Sequence, residues 1–161
     1  MPADDTPEEI ATLARAQGRS IAVAESLTGG LLTARFAAAP KASEWFRGGV
    51  VAYNAEVKRD VLGVPAGLVV NEQTATTMAL GVARLFGADL TVSTTGVGGP
   101  TEEEGQAPGT VWIAMSWDGR PAGAWLYRFD GDPPEICQQT CEAALLRVRD
   151  RLAPVERRSA G

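Results

Sequence analysis

The sequence predicts an α/β protein, a three-layer α/β/α sandwich around a mixed, mostly parallel sheet of five strands. Short apolar strands alternate with amphipathic helices along the first part of the chain, as in parallel strands joined by helical crossovers. Two later apolar runs flank Asp118-Gly119, a dipeptide typical of hairpin turns, so these two strands are expected to be antiparallel. A length of 161 residues fits one domain, predicted over residues 1–161 with frayed ends at 1–5 and 154–161.

The first half of the chain contains clear start and stop signals. Thr6-Pro7-Glu8-Glu9 has the pattern of a capping box, which places Thr6 at the N-cap of the first helix. Gly18 and Pro40 are residue types that end helices. The predicted elements are a helix from Thr6 to Gly18, a strand Ser20–Glu25, a helix Leu31–Ala39, a strand Gly48–Tyr53 and a short helical stretch from Val57 to Gly63.

The second half begins with a longer helix, for which Asn71 is the expected N-cap and Gly87 the end. Pro133-Pro134 opens the last helix, which carries Cys137 and Cys141 on its apolar face. Between the two helices we predict a strand Leu90–Thr95, a loop Gly96–Gly109, and hairpin strands Thr110–Trp117 and Gly123–Phe129 joined by a longer turn.

The chain contains no histidine. This excludes Ser-His-Asp and Cys-His catalysis, zinc sites built on imidazole, and haem held by histidine. A net charge of −5 and a pI near 4.8 disfavour a nucleic-acid groove. No run approaches the length of a membrane span, the N-terminus does not resemble a secretory signal, and two cysteines do not make a disulfide framework. We therefore expect a cytoplasmic protein with reduced thiols, and neither a nucleic acid nor a membrane as partner.

Three predicted strands end in small or polar loops: IAVAE-SLTGG, VVAYN-AEVK and LTVSTT-GVGG. If these strands are parallel, right-handed crossovers bring the three loops to one edge of the sheet. Ligands of open α/β sheets bind at that carboxyl edge. The polar residues expected to converge there are Ser26, Thr28, Tyr53, Asn54, Lys58, Thr94 and Thr95.

The segment Ser26-Leu27-Thr28-Gly29-Gly30 lies between a strand and a helix N-terminus. Unpaired backbone amides there can hold a phosphate, a carboxylate or an oxyanion, and the glycines allow a ligand to approach closely. The alternative is that Ser26 and Thr28 cap the helix and the glycines serve packing. The residues alone leave both interpretations open.

Lys58 is the candidate base for a serine nucleophile, since no histidine is present. A lysine can act as a base when desolvation or a neighbouring cation lowers its pKa. The alternative is a solvated lysine on a short helix. Tyr53 has two interpretations as well, a hydroxyl that relays a proton or a half-buried aromatic residue of a strand.

The loop Gly96–Gly109 is long, which favours a functional lid. Glu102-Glu103-Glu104 would repel a phosphate if the loop folded inward, so we expect these three residues to form a solvated face. Only residues 95–99 are then expected to line the site. Cys137 and Cys141 are expected to be buried structural thiols.

Four segments together resemble the CinA C-terminal domain family: AESLTGGLL (24–32), FRGGVVAYNAEVKRDVLGV (46–64), TTGVGGP (94–100) and PGTVWIA (108–114). The pair of AES-x-TGG with a downstream Y-x-x-E-x-K is specific, and the similarity covers nearly the whole chain. The enzymatically defined members of the family are nicotinamide mononucleotide deamidases. The domain also occurs fused behind a molybdopterin-binding-like domain, whereas we expect this one to stand alone.

The resemblance implies hydrolysis of nicotinamide mononucleotide to nicotinic acid mononucleotide and ammonia, by a homo-oligomer without a metal or other cofactor. Ser26 matches the family's nucleophile, Lys58 its general base and Tyr53 a supporting tyrosine. The predicted substrate-binding residues are Thr28, Gly29, Gly30, Gly48, Asn54, Thr95, Gly96, Gly98 and Gly99.

One departure from the family pattern keeps an alternative open. The family's last helix begins with GDR-x-x-V-R, and Pro133 and Cys137 stand where the two arginines would be. The alternative is a catalytically silent paralogue that binds a nucleotide or a protein partner. A regulatory module acting on DNA follows only from the family's name, and the acidic pI disfavours it.

Overall fold

A five-stranded mixed sheet forms the centre of the computed structural model, which describes residues 4–154. The strands are β1 (Ile21–Glu25), β2 (Phe46–Val51), β3 (Leu90–Gly96), β4 (Thr110–Trp117) and β5 (Arg120–Arg128). Their order in the sheet is β2-β1-β3-β4-β5. Strand β1 pairs in parallel with β2 and β3, whereas β3–β4 and β4–β5 are antiparallel. The predicted mixed α/β sheet is confirmed, but the parallel pairs do not form a majority because the late hairpin adds two antiparallel pairings.

Helices cover both faces of the sheet. They are α1 (Thr6–Gln17), α2 (Leu31–Ala37), α3 (Ala42–Trp45), α4 (Ala55–Leu62), α5 (Glu72–Phe86) and α6 (Pro133–Leu152). Helices α1, α2, α3 and α6 pack on one face with Ile21 and Val23 of β1. Helices α4 and α5 lie on the other face, which receives Ala22 and Ala24. Alternate residues of β1 therefore enter opposite layers, as the pleat of a strand requires, and the three-layer sandwich is confirmed.

Several boundaries differ from the predicted ones for local physical reasons. The N-cap of α1 is Asp5 rather than Thr6, and its side chain makes no capping hydrogen bond. The capping box is found instead on α6, where Asp132 and Glu135 each bond the other's backbone amide. The predicted cap Asn71 is confirmed, since its side chain accepts from the Thr74 amide.

The hairpin turn is shorter than predicted. Asp118 and Gly119 have φ values of 50° and 77°, and β5 starts directly afterwards at Arg120. Two successive residues with positive φ match the twist of the flanking strands, so the turn needs only two residues. The short helix α3 was not predicted.

The ends of the chain were predicted to be frayed, and residues 1–3 and 155–161 lie outside the described residues. Within the described part, the Asp4 carboxylate accepts from the Thr6 amide and pairs with Arg35. No helix among the described residues is both long enough and apolar enough to cross a bilayer.

Candidate active site

Ser26 follows β1 directly, at the carboxyl edge of the parallel strands. Its amide donates to the Thr94 carbonyl oxygen at 3.1 Å, and its own carbonyl accepts from the Gly29 amide at 3.0 Å. The residue is only 7% exposed, yet its hydroxyl has no hydrogen-bond partner among the described residues. Every side-chain oxygen or nitrogen atom that is fully buried in that part of the chain has a hydrogen-bond partner. Because Oγ of Ser26 has none, it is not fully buried and is in contact with solvent. The backbone of Ser26 is held on both sides while its hydroxyl remains available.

Thr28 joins the loop after β1 to strand β3. Its Oγ1 lies 3.0 Å from Oγ1 of Thr94, and both residues are buried. Gly29 and Gly30 between Thr28 and α2 have φ values of 59° and 106°, which favour glycine. These contacts fix the course of the loop that carries Ser26.

Lys58 lies on α4, whose start is capped by Asn54. The Asn54 side chain accepts from the Glu56 and Val57 amides, at 2.7 and 3.4 Å. Lys58 is 2% exposed, and its Nζ donates to the Tyr53 carbonyl oxygen at 2.9 Å. Burial lowers the pKa of Lys58 below its ordinary value, while the charges of Glu103 and Glu104 act to raise it. The solvated lysine of the alternative interpretation is excluded by this burial.

Strand pairing brings Lys58 and Ser26 to the same edge. The Ala52 amide donates to the Glu25 carbonyl oxygen at 2.8 Å. Tyr53 and Ser26 are the next residues after this pair, so they follow the ends of the neighbouring strands β2 and β1. The amine of Lys58 is held at the Tyr53 carbonyl, although no hydrogen bond joins the amine to Ser26. The Tyr53 side chain is 68% exposed, which differs from the half-buried strand aromatic of the alternative interpretation.

The acidic loop is docked rather than simply solvated. Both carboxylate oxygens of Glu104 accept from the Val69 amide, at 3.1 and 2.9 Å, and one also accepts from the Val70 amide at 3.0 Å. Gln106 and Thr95 donate to the carbonyls of Val70 and Val69. Glu102, Glu103 and Glu104 are all exposed, as expected for a solvated face. The Glu104 carboxylate nevertheless binds the backbone, so this side chain is not free in solvent.

Glu25 lies next to the candidate nucleophile, and the sequence did not predict it as part of the site. It is fully buried, and its carboxylate accepts from the amides of Gly30, Leu32 and Thr33 and from the Thr33 hydroxyl. The expectation of unpaired amides in the segment Ser26–Gly30 is therefore wrong for Gly30, whose amide donates to the Glu25 carboxylate, and for Gly29, whose amide donates to the Ser26 carbonyl. The available signal was an acidic residue at the end of an otherwise apolar strand, directly before Ser26.

Other amides near Ser26 remain without a protein acceptor. Among the described residues, the amides of Leu27, Thr28, Gly98 and Gly99 donate to no protein atom. A Cβ added to Gly98 would lie 3.9 Å from the Leu27 side chain, so the two loops are neighbours. These four amides are the candidate oxyanion donors of the site.

The remaining predicted residues occupy varied positions. Gly96 packs closely against β4, because a Cβ there would lie 2.6 Å from the Thr110 carbonyl oxygen. Gly48 pairs with Ala22 in the first half of the edge strand β2 and therefore lies away from the carboxyl ends of the parallel strands. Cys141 is buried as expected, whereas Cys137 is only partly buried, and its thiol donates to the Leu27 carbonyl oxygen at 3.1 Å. Within residues 4–154, no three His, Cys, Asp or Glu residues come together in a group that can hold a metal ion.

Known proteins are similar to this chain in both sequence and fold. The family model described as the CinA C-terminal domain matches residues 3–152. A relative from Desulforamulus reducens is 47% identical over 135 residues, and a CinA-like protein from Frankia casuarinae is 41% identical over 158 residues. These matches cover 80% and 94% of this chain but 32% and 36% of the relatives, so the chain spans about a third of their length.

Solved structures match over nearly all of both chains. A competence-damaged protein (CinA) superfamily protein from Klebsiella pneumoniae aligns with a TM-score of 0.89 at 30% identity, covering 94% of this chain and 98% of that one. A competence/damage inducible protein from Agrobacterium tumefaciens aligns with a TM-score of 0.82 at 28% identity, covering 92% and 96%. The chain belongs to the CinA C-terminal domain family.

Proposed function

We propose that the protein is an amidohydrolase that converts nicotinamide mononucleotide and water to nicotinic acid mononucleotide and ammonia. The observation that carries the proposal is Lys58, a buried lysine of lowered pKa at the same sheet edge as the unpartnered hydroxyl of Ser26. In a chain without histidine, such a lysine is suited to act as general base. Family membership supports the same reaction class.

The chemistry needs only these two side chains and the nearby amides. Neutral Lys58 accepts the Ser26 proton while Oγ attacks the carboxamide carbon, and the amides of Leu27, Thr28, Gly98 and Gly99 are the candidate donors to the developing oxyanion. Lys58 then donates that proton to the leaving nitrogen, which departs as ammonia. Water attacks the acyl-Ser26 ester while Lys58 accepts a proton from it. The bond from the acyl carbon to Oγ then breaks, Lys58 passes the proton to Oγ of Ser26, and the carboxylic acid is released.

The negative charge of the acidic loop favours a substrate with a cationic ring. Glu103 and Glu104 act electrostatically on Lys58, and Glu103 makes no ion pair within residues 4–154. The pyridinium ring of nicotinamide mononucleotide is positively charged, so these carboxylates favour it near the base. Its phosphate must then lie away from the loop.

The second candidate is a catalytically silent paralogue that binds a nucleotide or a protein partner. It is favoured by the first turn of α6, where the family pattern has arginines. This chain has Asp132 as a side-chain cap, followed by Pro133 and Pro134, which have no amide hydrogen to offer an anion.

The deciding experiment measures ammonia release by the purified protein from nicotinamide mononucleotide. We expect release by the native protein and none above background for Ser26→Ala. The matched pair is Lys58→Arg and Lys41→Arg, since these are the chain's two lysines and Lys41 is exposed at the N-cap of α3. Arginine keeps the charge but cannot act as a base, so only Lys58→Arg should abolish release.

Two outcomes contradict the proposal. Equal activity of Lys58→Arg and the native protein would exclude lysine as the base. Thermal stabilisation of the native protein by the mononucleotide without any ammonia release would favour the silent paralogue.

A further inference from the structure

We propose that Glu25 is a positioning residue for the Ser26 nucleophile, acting by binding the start of α2 to the end of β1. The inference rests on the proposed function, because it requires Ser26 to be the nucleophile. Glu25 is the last residue of β1 and is fully buried. Its side chain contacts no reacting atom, so its effect on Ser26 passes through the backbone.

Both carboxylate oxygens of Glu25 accept hydrogen bonds. Oε1 accepts from the amides of Gly30 and Leu32, at 3.2 and 2.9 Å. Oε2 accepts from the Thr33 amide at 2.8 Å and from its hydroxyl at 2.6 Å. All four partners are donors, and no cation lies within ion-pair distance of Glu25 in the described part of the chain. The positive end of α2 balances the buried charge.

These bonds close a short loop around Ser26. The Glu25 carbonyl accepts from Ala52, and the Ser26 amide donates to Thr94, so the strand end is fixed to both neighbouring strands. The Glu25 carboxylate fixes the other end of the loop at Gly30 to Thr33. Because both ends are held, these hydrogen bonds restrict the movement of Ser26 relative to the candidate oxyanion amides. A nucleophile placed in this way needs no reorganisation before it attacks.

The positioning role differs from simple helix capping in what it predicts for Ser26. Glu25→Gln keeps the shape of the side chain but replaces one carboxylate oxygen, which accepts two hydrogen bonds, with an NH₂ group that can only donate. The Thr33 hydroxyl can rotate to accept from that group, so the Gln nitrogen is expected at the position of Oε2, where it leaves the Thr33 amide unpaired. The start of α2 would then shift and displace the loop of Ser26.

The test measures the rate at which an aryl sulfonyl fluoride labels Ser26. In this reaction the Oγ–S bond forms, fluoride leaves, and the serine proton passes to the base, so the readout does not depend on the amide substrate. We expect Glu25→Gln to slow labelling by on the order of 10- to 100-fold, as displacements of about an ångström do. It should also lower kcat for ammonia release while KM stays within about twofold, because Glu25 binds no substrate.

Thr91→Val is the matched control. Thr91 is fully buried in β3, and its hydroxyl donates to the Ala79 carbonyl on the far face of the sheet from α2. The substitution should lower the unfolding temperature and leave the labelling rate unchanged. If Glu25→Gln does not fold, the pair Thr33→Val and Thr33→Ser replaces it, because only serine keeps the hydroxyl donor to Glu25. We expect slower labelling in the valine variant and recovery in the serine variant.

The outcomes separate the two proposals. A native protein that labels Ser26 but releases no ammonia contradicts the substrate, while the labelling of the variants still tests Glu25. Native ammonia release with unchanged labelling of Glu25→Gln overturns the positioning role alone. Slowed labelling of Thr91→Val to the same degree, or no labelling of native Ser26, overturns it too.

Discussion

The amine of Lys58 donates to the Tyr53 carbonyl oxygen across 2.9 Å, so the side chain turns back toward the start of its own helix. A neutral amine has two N–H donors and one lone pair. The Tyr53 carbonyl oxygen can only accept a hydrogen bond, so it bonds to an N–H group of the amine and leaves the lone pair directed elsewhere. The contact therefore orients Lys58 without consuming the group that a general base needs.

The first prediction concerns the pH dependence of activity. Burial lowers the pKa of Lys58, whereas the negative charges of Glu103 and Glu104 favour the protonated form and act to raise it. Activity should rise with pH as Lys58 loses its proton. Glu103→Gln removes a charge that favours the ammonium, so the pKa of Lys58 falls further and the rising limb of kcat/KM moves to lower pH.

Glu102→Gln is the control, because it removes the same charge from a neighbouring exposed residue that does not act on the pKa of Lys58. Its profile should stay closer to that of the native protein. A shift of the Glu103→Gln limb to higher pH would contradict Lys58 as the titrating base.

The second prediction concerns the docking of the acidic loop. Glu104→Ala removes the acceptor of the Val69 and Val70 amides and should destabilise the protein by about 0.5–1.5 kcal/mol, the range of a typical hydrogen bond. The bonds to Val69 are exposed, so water replaces part of what is lost. Urea unfolding of this variant and of Glu102→Ala, whose side chain makes no hydrogen bond or ion pair within residues 4–154, measures the difference. Equal midpoints for both variants would show that Glu104 does not hold the loop.

The placement of Ser26 and Lys58 near one edge of the sheet could be predicted because it depends on strand direction and one local helix cap. Parallel strands place the residues that follow them at one edge, and the Asn54 side chain then starts α4 close to that edge. The Asn71 cap and the start of α6 at Pro133 are similarly local signals. Each needs only residues within one turn of the chain.

The roles of Glu25 and Glu104 could not be predicted in the same way. Both carboxylates bind backbone amides, and a backbone amide has no signature in the sequence. Glu104 reaches Val69 and Val70 across 35 and 34 residues of sequence, so its partners are determined by the fold. Glu25 finds its partners only after the glycine turn folds α2 back over the end of β1.

The third prediction concerns the two thiols. Burial, with a smaller effect of the Glu25 charge, raises the pKa of Cys141 to about 12 and also raises the pKa of Cys137. Thiolate is the reactive form, so both thiols should react slowly with a disulfide reagent at neutral pH, and Cys141 more slowly than Cys137. Thiol release timed by absorbance, with urea-unfolded protein as the control, measures both rates. Rapid reaction of Cys141 in the folded protein would contradict its burial.

The fourth prediction concerns the contact between α5 and α4, the helix that carries Lys58. Replacing a glycine in a helix interior with alanine ordinarily stabilises the protein by roughly 1 kcal/mol. At Gly81 the sign should reverse, because an added Cβ would lie 2.4 Å from the Leu62 carbonyl oxygen, an atom of the α4 backbone that cannot rotate away. We expect Gly81→Ala to destabilise the protein by about 1–3 kcal/mol, as overpacking does.

Gln73→Ala is the control for Gly81→Ala, since it raises helix propensity on the exposed side of the same helix. Denaturant unfolding should place the midpoint of Gly81→Ala below that of the native protein and Gln73→Ala at or above it. Because α4 must move away from α5 to admit the methyl group, Lys58 moves with it, and kcat for ammonia release should fall in Gly81→Ala alone. A stabilised Gly81→Ala protein would contradict the close approach of the two helices.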